Sequence, residues 1–207
     1  MRFADWEPHY TAILDYFGFE RDADEAAARL LEEVADGRDD VGLLEALIRG
    51  RAVTVCGNAP SLPDEIDQIE GTVLAADAAA EVLADHGVRP DAVFTDLDGA
   101  TDVFVDLSRQ GTVMVVHAHG DNVPLLRHWV PLLPGPLVAT TQAAPLPHVH
   151  NFGGFTDGDR AVFAADDLGA ASIRIIGFDL ADRNVDPVKR GKLFWAGKLL
   201  RLIGYDL

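Results

Sequence analysis

The chain has 207 residues, of which 48% are apolar and 25% charged, with 19 glycines and a formal net charge of −17. This length and composition predict one globular domain with a sizeable core, and they exclude collagen-like and low-complexity chains. A pI near 4.5 argues against nucleic acid or an anionic membrane as partner, because both need clustered positive charge.

The first 50 residues read as an N-terminal helical segment. From Pro8 to Phe19, the apolar residues Tyr10, Ile13, Leu14 and Phe17 recur at helical spacing. Asp24 is placed to cap a second helix running through Ala26, Leu30, Leu31 and Val34 to Gly37. Asp40 to Ile48 repeats the pattern, and Gly50 ends it. Met1 to Glu7 carries acids where a signal peptide needs a basic start and an apolar run. No apolar stretch reaches the roughly 18 residues of a membrane span. The single cysteine, Cys56, rules out an intramolecular disulfide. A soluble, cytoplasmic chain is expected, with homo-oligomer formation left open.

After Arg51 the pattern changes. Short apolar runs occur at Ala52–Cys56, Thr72–Ala76, Ala92–Thr95, Thr112–His117, Leu137–Thr141 and Ser172–Phe178. They are bounded by Gly, Asp or Pro, as strands buried on both faces would be. Helical stretches lie between them, at Ala78–His86, Val103–Gln110, Val123–Val130 and Asp159–Leu168. The alternation predicts an α/β core over residues 51–207, with a Rossmann-like, mostly parallel sheet of about six strands and helices on both faces. Pro131–Pro136 and Pro145–His150 read as surface loops.

Ligands of open parallel sheets bind beyond the carboxyl ends of the strands. Here those ends carry Asp77, the Asp96-Leu97-Asp98 triplet, Asp121 and Asp179. Carboxylates held together repel unless one is protonated or a cation is shared. Oxygen-rich neighbours fit Mg²⁺, which takes one or two carboxylates and completes its shell with waters and phosphates. Two glycine-bearing loops follow strands. Gly57-Asn58-Ala59-Pro60-Ser61 lets backbone N–H groups approach phosphate, although no Walker lysine follows. The run Asn151-Phe152-Gly153-Gly154-Phe155-Thr156-Asp157-Gly158-Asp159-Arg160 has three glycines ahead of a helix and is shaped to wrap a ligand. Phe152 and Phe155 either stack on a flat heterocycle there or anchor the loop to the core. The pairs His117/His119 and His148/His150 invite a zinc reading, but their surroundings are oxygen-rich and lack a cysteine cluster.

The charge is skewed in kind. Asp outnumbers Glu 25 to 9, and only 3 of the 17 basic residues are lysine. Concentrated salt screens such self-repulsion, so the coat is read as salt adaptation of a halophilic protein. All the lysines, Lys189, Lys192 and Lys198, lie near the C-terminus. Neutralising a polyphosphate is one use for Lys189 and Lys192; a cation-bearing helix end is the plainer one.

The ordered set of motifs resembles a known family. Its members are the archaeal 6-hydroxymethyl-7,8-dihydropterin pyrophosphokinases, the MptE-like family, once a domain of unknown function. The resemblance covers roughly residues 45–200 and rests on Gly57-Asn58-Ala59-Pro60-Ser61-Leu62, Ala76-Asp77, Thr95-Asp96-Leu97-Asp98-Gly99, His117-Ala118-His119-Gly120-Asp121-Asn122, Thr141-Gln142 and the 151–160 loop. A weaker likeness extends to thiamine pyrophosphokinases. The resemblance implies transfer of a diphosphate from ATP to 6-hydroxymethyl-7,8-dihydropterin, giving AMP and the pterin diphosphate, on a route to methanopterin or a folate-type carrier. It implies Mg²⁺ as cofactor, with Asp77, Asp96, Asp98 and Asp121 as metal ligands. Catalytic roles fall to Asp96, Asp98, Asp121, Lys189 and Lys192. ATP contacts fall to Gly57, Asn58, Pro60 and Ser61, to Thr141 and Gln142, and to Gly153, Gly154, Thr156, Asp157 and Arg160. Two departures stand out: Asn58-Ala59 replaces a second glycine, and Ala78 follows Asp77 where glycine is common. Other readings of the same residues are an Asp-x-Asp glycosyltransferase-like enzyme, a haloacid-dehalogenase-like phosphatase built on Asp96, and a non-catalytic nucleotide-binding protein.

Overall fold

The computed structural model describes all 207 residues. Three helices come first: α1 (Phe3–Phe17), α2 (Arg21–Ala35) and α3 (Val41–Ile48). The α/β part then runs β1 (Ala52–Cys56), α4 (Leu62–Glu65), β2 (Thr72–Ala76), α5 (Ala79–Asp85), β3 (Ala92–Thr95), α6 (Asp102–Arg109) and β4 (Val113–Ala118). It continues with α7 (Val123–Trp129), β5 (Leu137–Thr141), β6 (Val149–His150), α8 (Asp157–Asp167), β7 (Ser172–Ile176) and α9 (Pro187–Leu202).

The seven strands form one sheet in the order β6-β5-β4-β3-β2-β1-β7, and every pairing is parallel. The chain steps outward from β1 to β6 and then returns to place β7 on the other side of β1. The order therefore reverses between β1 and β7, where an open parallel sheet leaves a crevice.

The strands are buried on both faces because their side chains alternate between two apolar layers. Val73, Ala75, Val93, Met114, Val116 and Ala139 pack under α2 and the helices α4 to α7. Val53, Val55, Leu74, Phe94, Val115 and Val138 pack under α3 and α8. A third cluster fixes α1: Trp6, Tyr10, Ile13 and Leu14 meet Phe155, Phe163, Trp195 and Leu199.

Three local expectations are corrected. Asp24 does not cap α2; the helix begins at Arg21, and Asp24 is a buried member of its first turn. The helix α1 starts five residues ahead of Pro8, whose missing N–H falls inside it. The span Pro145–His150 is not wholly a surface loop, because Val149–His150 adds a short edge strand to β5. No helix is long and apolar enough to cross a membrane.

Candidate active site

The ends of β2 and β3 hold unusual backbone. Asp77 (φ 47°) and Leu97 (φ 71°) both occupy the left-handed region, which non-glycine residues seldom adopt. The bends are held by a relay. Leu97 N–H donates to Thr95 Oγ1 at 2.7 Å, and the Thr95 hydroxyl donates to Asp77 Oδ1 at 2.6 Å. A Cβ at Gly99 would collide with the other Asp77 carboxylate oxygen, so any larger residue would have to displace that carboxylate.

This geometry gathers acids. Carboxylate oxygens of Asp77, Asp96 and Asp157 lie within 4.8 Å of one another. Asp157 reaches the cluster from the first turn of α8, on the loop assigned by sequence to the nucleotide. Asp98 adjoins them: its N–H donates to Asp96 Oδ1 at 3.1 Å, while its side chain is exposed. Asp121 is exposed on the rim of the same cavity and is not part of the tight group.

The electrostatics divide the acids. Burial pushes Asp96 up, but hydrogen bonding from His119 and the positive charge of Arg160 outweigh it and hold Asp96 well below the usual carboxylate range. Burial drives Asp77 up to about 6, aided by the charges of Asp98 and Asp96 and opposed by the Thr95 hydroxyl. Asp157 is raised well above its ordinary value, first by burial and then by the charge on Asp96. Arg160 Nη1 lies 3.1 Å from Asp157 Oδ1 and offsets only part of that. Hard carboxylate oxygens crowded this closely, with no thiol among them, form a donor set that fits Mg²⁺.

The cavity around the acids is about 480 Å³. On the β1/β7 side its wall is the Gly57-Asn58-Ala59-Pro60 loop, Gly177 and Phe178. The Phe178 ring sits where a Cβ on either Gly57 or Gly158 would be, so it pins the first loop against the start of α8. Lys189 and Lys192, from the first turns of α9, complete this side. Asp186 caps α9 by accepting from Val188 N–H at 2.8 Å and Lys189 N–H at 3.0 Å. Partial desolvation and the charge of Asp96 keep the Asp98 carboxyl raised, and both lysines pull it down.

On the opposite side the wall comes from β4, β5 and the N-terminal helices. His119 Nε2 lies 3.3 Å from Asp96 Oδ2, and His119 Nδ1 accepts from Asp121 N–H at 3.3 Å. That pairing leaves the proton on Nε2, facing Asp96. Asp24 belongs to this wall and is buried in it. It accepts from Gly120 N–H at 2.8 Å, from the Tyr10 hydroxyl at 2.8 Å and from Gln142 Nε2 at 2.7 Å. The Gln142 carbonyl in turn accepts from the Trp6 indole at 2.8 Å and from Asn151 Nδ2 at 3.0 Å. Four residues distant in sequence are thereby tied to the end of β5.

The remaining sequence candidates have other places. Ser61 sits behind the first loop, beside Glu65, whose carboxylate accepts from Gly177 N–H at 2.8 Å. Thr141 is buried and accepts from Ala143 N–H at 3.2 Å. Gly153 and Gly154 have φ of 88° and 85° and sit tight against Phe163 and Arg160, so they shape the loop without lining the cavity. Thr156 lines the cavity and, with Phe155, donates its backbone N–H to Asp159 at 2.7 Å. Phe155 also lines it, whereas Phe152 stacks on His150 with ring centroids 5.9 Å apart.

The two histidine pairs have separate partners. His117 is buried, and its Nδ1 lies 3.1 Å from Thr140 Oγ1, which donates to Val116 O. His148 and His150 both lean on Asp39, at 3.7 and 2.8 Å. Sequence reasoning missed Asp24, Phe178 and the joining of Asp157 to Asp77 and Asp96. Glycine at both 57 and 158 was a trace of Phe178, whereas nothing local marked Asp24.

Among solved structures, the MAF glycosyltransferase from Magnetospirillum magneticum AMB-1 superposes with a TM-score of 0.57 at 17% identity, over 90% of this chain and 35% of that one. That likeness concerns the fold alone. Curated proteins named 6-hydroxymethyl-7,8-dihydropterin pyrophosphokinase are much nearer. The one from Methanothermobacter thermautotrophicus is 40% identical, over 94% of this chain and 92% of its own. The one from Pyrococcus furiosus is 42% identical, over 87% and 79%. The one from Methanocaldococcus jannaschii is 31% identical, over 86% and 80%. Residues 28–185 match the family described as "6-hydroxymethylpterin diphosphokinase MptE-like", and the chain belongs to that family.

Proposed function

We propose that this protein transfers a diphosphate from ATP to 6-hydroxymethyl-7,8-dihydropterin, releasing AMP. The observation that carries the reading is the cluster of Asp77, Asp96 and Asp157, set beside Lys189 and Lys192 in one cavity. Asp77, Asp96 and Asp157 would hold Mg²⁺, with Asp98 and Asp121 on the rim; we place Asp157 in the set ahead of Asp121. When bound, the ion would neutralise phosphate oxygens and the charge that develops on the transferred group.

The chain's own residues do the rest by position and charge, as phosphoryl transfer requires. Lys189, Lys192 and Arg160 face the transferred diphosphate and stabilise negative charge as it grows. In the Gly57-to-Pro60 loop, the N–H groups of Gly57 and Ala59 are taken by the Ile176 and Gly177 carbonyls and Pro60 has none, so the Asn58 N–H is the one left to approach the phosphates from β1. His119 keeps Asp96 ionised. The acceptor hydroxyl attacks the β-phosphorus, its P–O bond to the α-phosphate oxygen breaks, and AMP leaves. Asp121, beside Gly120 on the rim, is our assignment for the group that takes the hydroxyl proton.

Incubation with ATP, Mg²⁺ and the reduced pterin is expected to yield AMP and pterin diphosphate in equal amounts. Formation of ADP, or no nucleotide turnover, would overturn the reading. The excess of aspartate supports a second proposal, that the protein is adapted to concentrated salt. Its melting temperature should then rise steadily from low to molar KCl; a midpoint that is flat or falls would refute that.

A further inference from the structure

Gln142 is held in place from two sides. Its backbone carbonyl serves Trp6 and Asn151, and its Nε2 serves Asp24. Its Oε1 is buried and has no hydrogen-bond partner, although the residue lines the cavity and is only 4% exposed. The amide cannot turn over to hide this oxygen, because Nε2 must stay against the Asp24 carboxylate, an acceptor. A rigidly held acceptor at a cavity wall calls for a donor on the ligand. Its neighbours in the cavity are the apolar surfaces of Phe155, Phe19, Ala23 and Gly120, with the carboxylates of Asp24 and Glu20 among them. An apolar wall that offers acceptors and no donor cation suits a flat ring that carries N–H groups.

Both substrates of the proposed reaction have such a ring, and the sheet order separates them. The acids stand at the ends of β2 and β3. The Gly57 loop, Phe178 and the two lysines lie toward β1 and β7, and Gln142 lies toward β4 and β5. A transferred group must sit between its donor and its acceptor. A triphosphate needs the glycine loop and the cations, so the donor takes the β1/β7 side. The acceptor ring is left with the other side.

We infer that the end of the cavity walled by Gln142, Phe155, Phe19 and Ala23 binds the acceptor's heterocycle, with Gln142 Oε1 accepting a ring or exocyclic N–H. This rests on the proposed function and assigns Gln142 to the pterin, away from ATP. Gly120, next to His119 and tied to Asp24, puts this end one residue from the group that contacts Asp96.

The test measures two affinities separately, for 6-hydroxymethyl-7,8-dihydropterin by its fluorescence and for a non-hydrolysable ATP analogue with Mg²⁺ by calorimetry. Gln142→Leu is expected to weaken pterin binding by about tenfold or more, the loss of one buried hydrogen bond, and to leave the nucleotide within about twofold. Nucleotide loss with pterin retained, or no change in either, would overturn the assignment. Should Gln142→Leu disturb Asp24 and lose both ligands, Ala23→Leu decides, because it fills the same end from an exposed helical position. Ala23→Leu should weaken the pterin alone; any other pattern refutes the inference. A wild-type protein that binds no pterin would instead sink the proposed function itself.

Discussion

Asp96→Asn is expected to lower AMP formation by roughly 10³-fold while the protein still folds. Asp96 is the acid held most firmly ionised, and its carboxylate meets both His119 and the Asp98 N–H. Asparagine keeps the shape and one acceptor oxygen but removes the charge. A metal-phosphate site loses several kcal/mol of charge stabilisation without such a ligand, at about 1.4 kcal/mol per decade of rate. Steady-state AMP release should fall accordingly, with an unchanged circular dichroism spectrum. Turnover within about tenfold of wild type would remove Asp96 from the centre of the chemistry.

Asp77→Asn should do something different: gain stability and lose activity. Burial and the nearby acids hold the Asp77 carboxyl at about 6, above its ordinary 3.8. A raised carboxyl favours the folded state while protonated and loses that advantage as pH rises through the folded value. Without divalent ions, wild-type stability should therefore drop between about pH 4 and pH 6. Asparagine escapes the drop, still accepts from the Thr95 hydroxyl, and tolerates the left-handed backbone at φ 47° better than most residues. At pH 8 in EDTA the gain should be about 1–3 kcal/mol, or roughly 3–10 °C in melting temperature. At pH 3.5 it should vanish. A variant less stable than wild type at pH 8 would show that Asp77 is not under charge strain.

Such a split between stability and activity is expected where like charges are stored for function. The same acids explain why much of the site was legible from sequence. Strand ends are marked by where apolar runs stop, and parallel sheets put their ligands there. Four of the six predicted strands match the observed ones residue for residue, and Asp77, Asp96 and Asp98 sit where those runs end. Lys189 and Lys192 stood out through scarcity.

What stayed hidden is tertiary. Asp24 looked like a helix cap because an aspartate ahead of alanines and leucines is a common start signal. Its true partners lie near residues 10, 120 and 142, and no local pattern encodes them. Asp157 was recognised as part of a ligand loop. Its membership in the acid cluster depends on how α8 docks across β1, β2 and β3. The strand β6 was missed because two residues are too few to show alternation.

Asp24 also adds a polar tie between two parts of the structure that are packed together by apolar contacts. It joins α1 and α2 to the ends of β4 and β5, so one wall of the cavity belongs to helices that precede the sheet in the chain. Residues 1–50 carry 13 acidic and 5 basic side chains, a surplus that works against close docking. Any molecule that touches both Ala23 and Gln142 must therefore tighten the hold of these helices on the sheet. By reciprocity, it does so by the same free energy that their docking contributes to its binding.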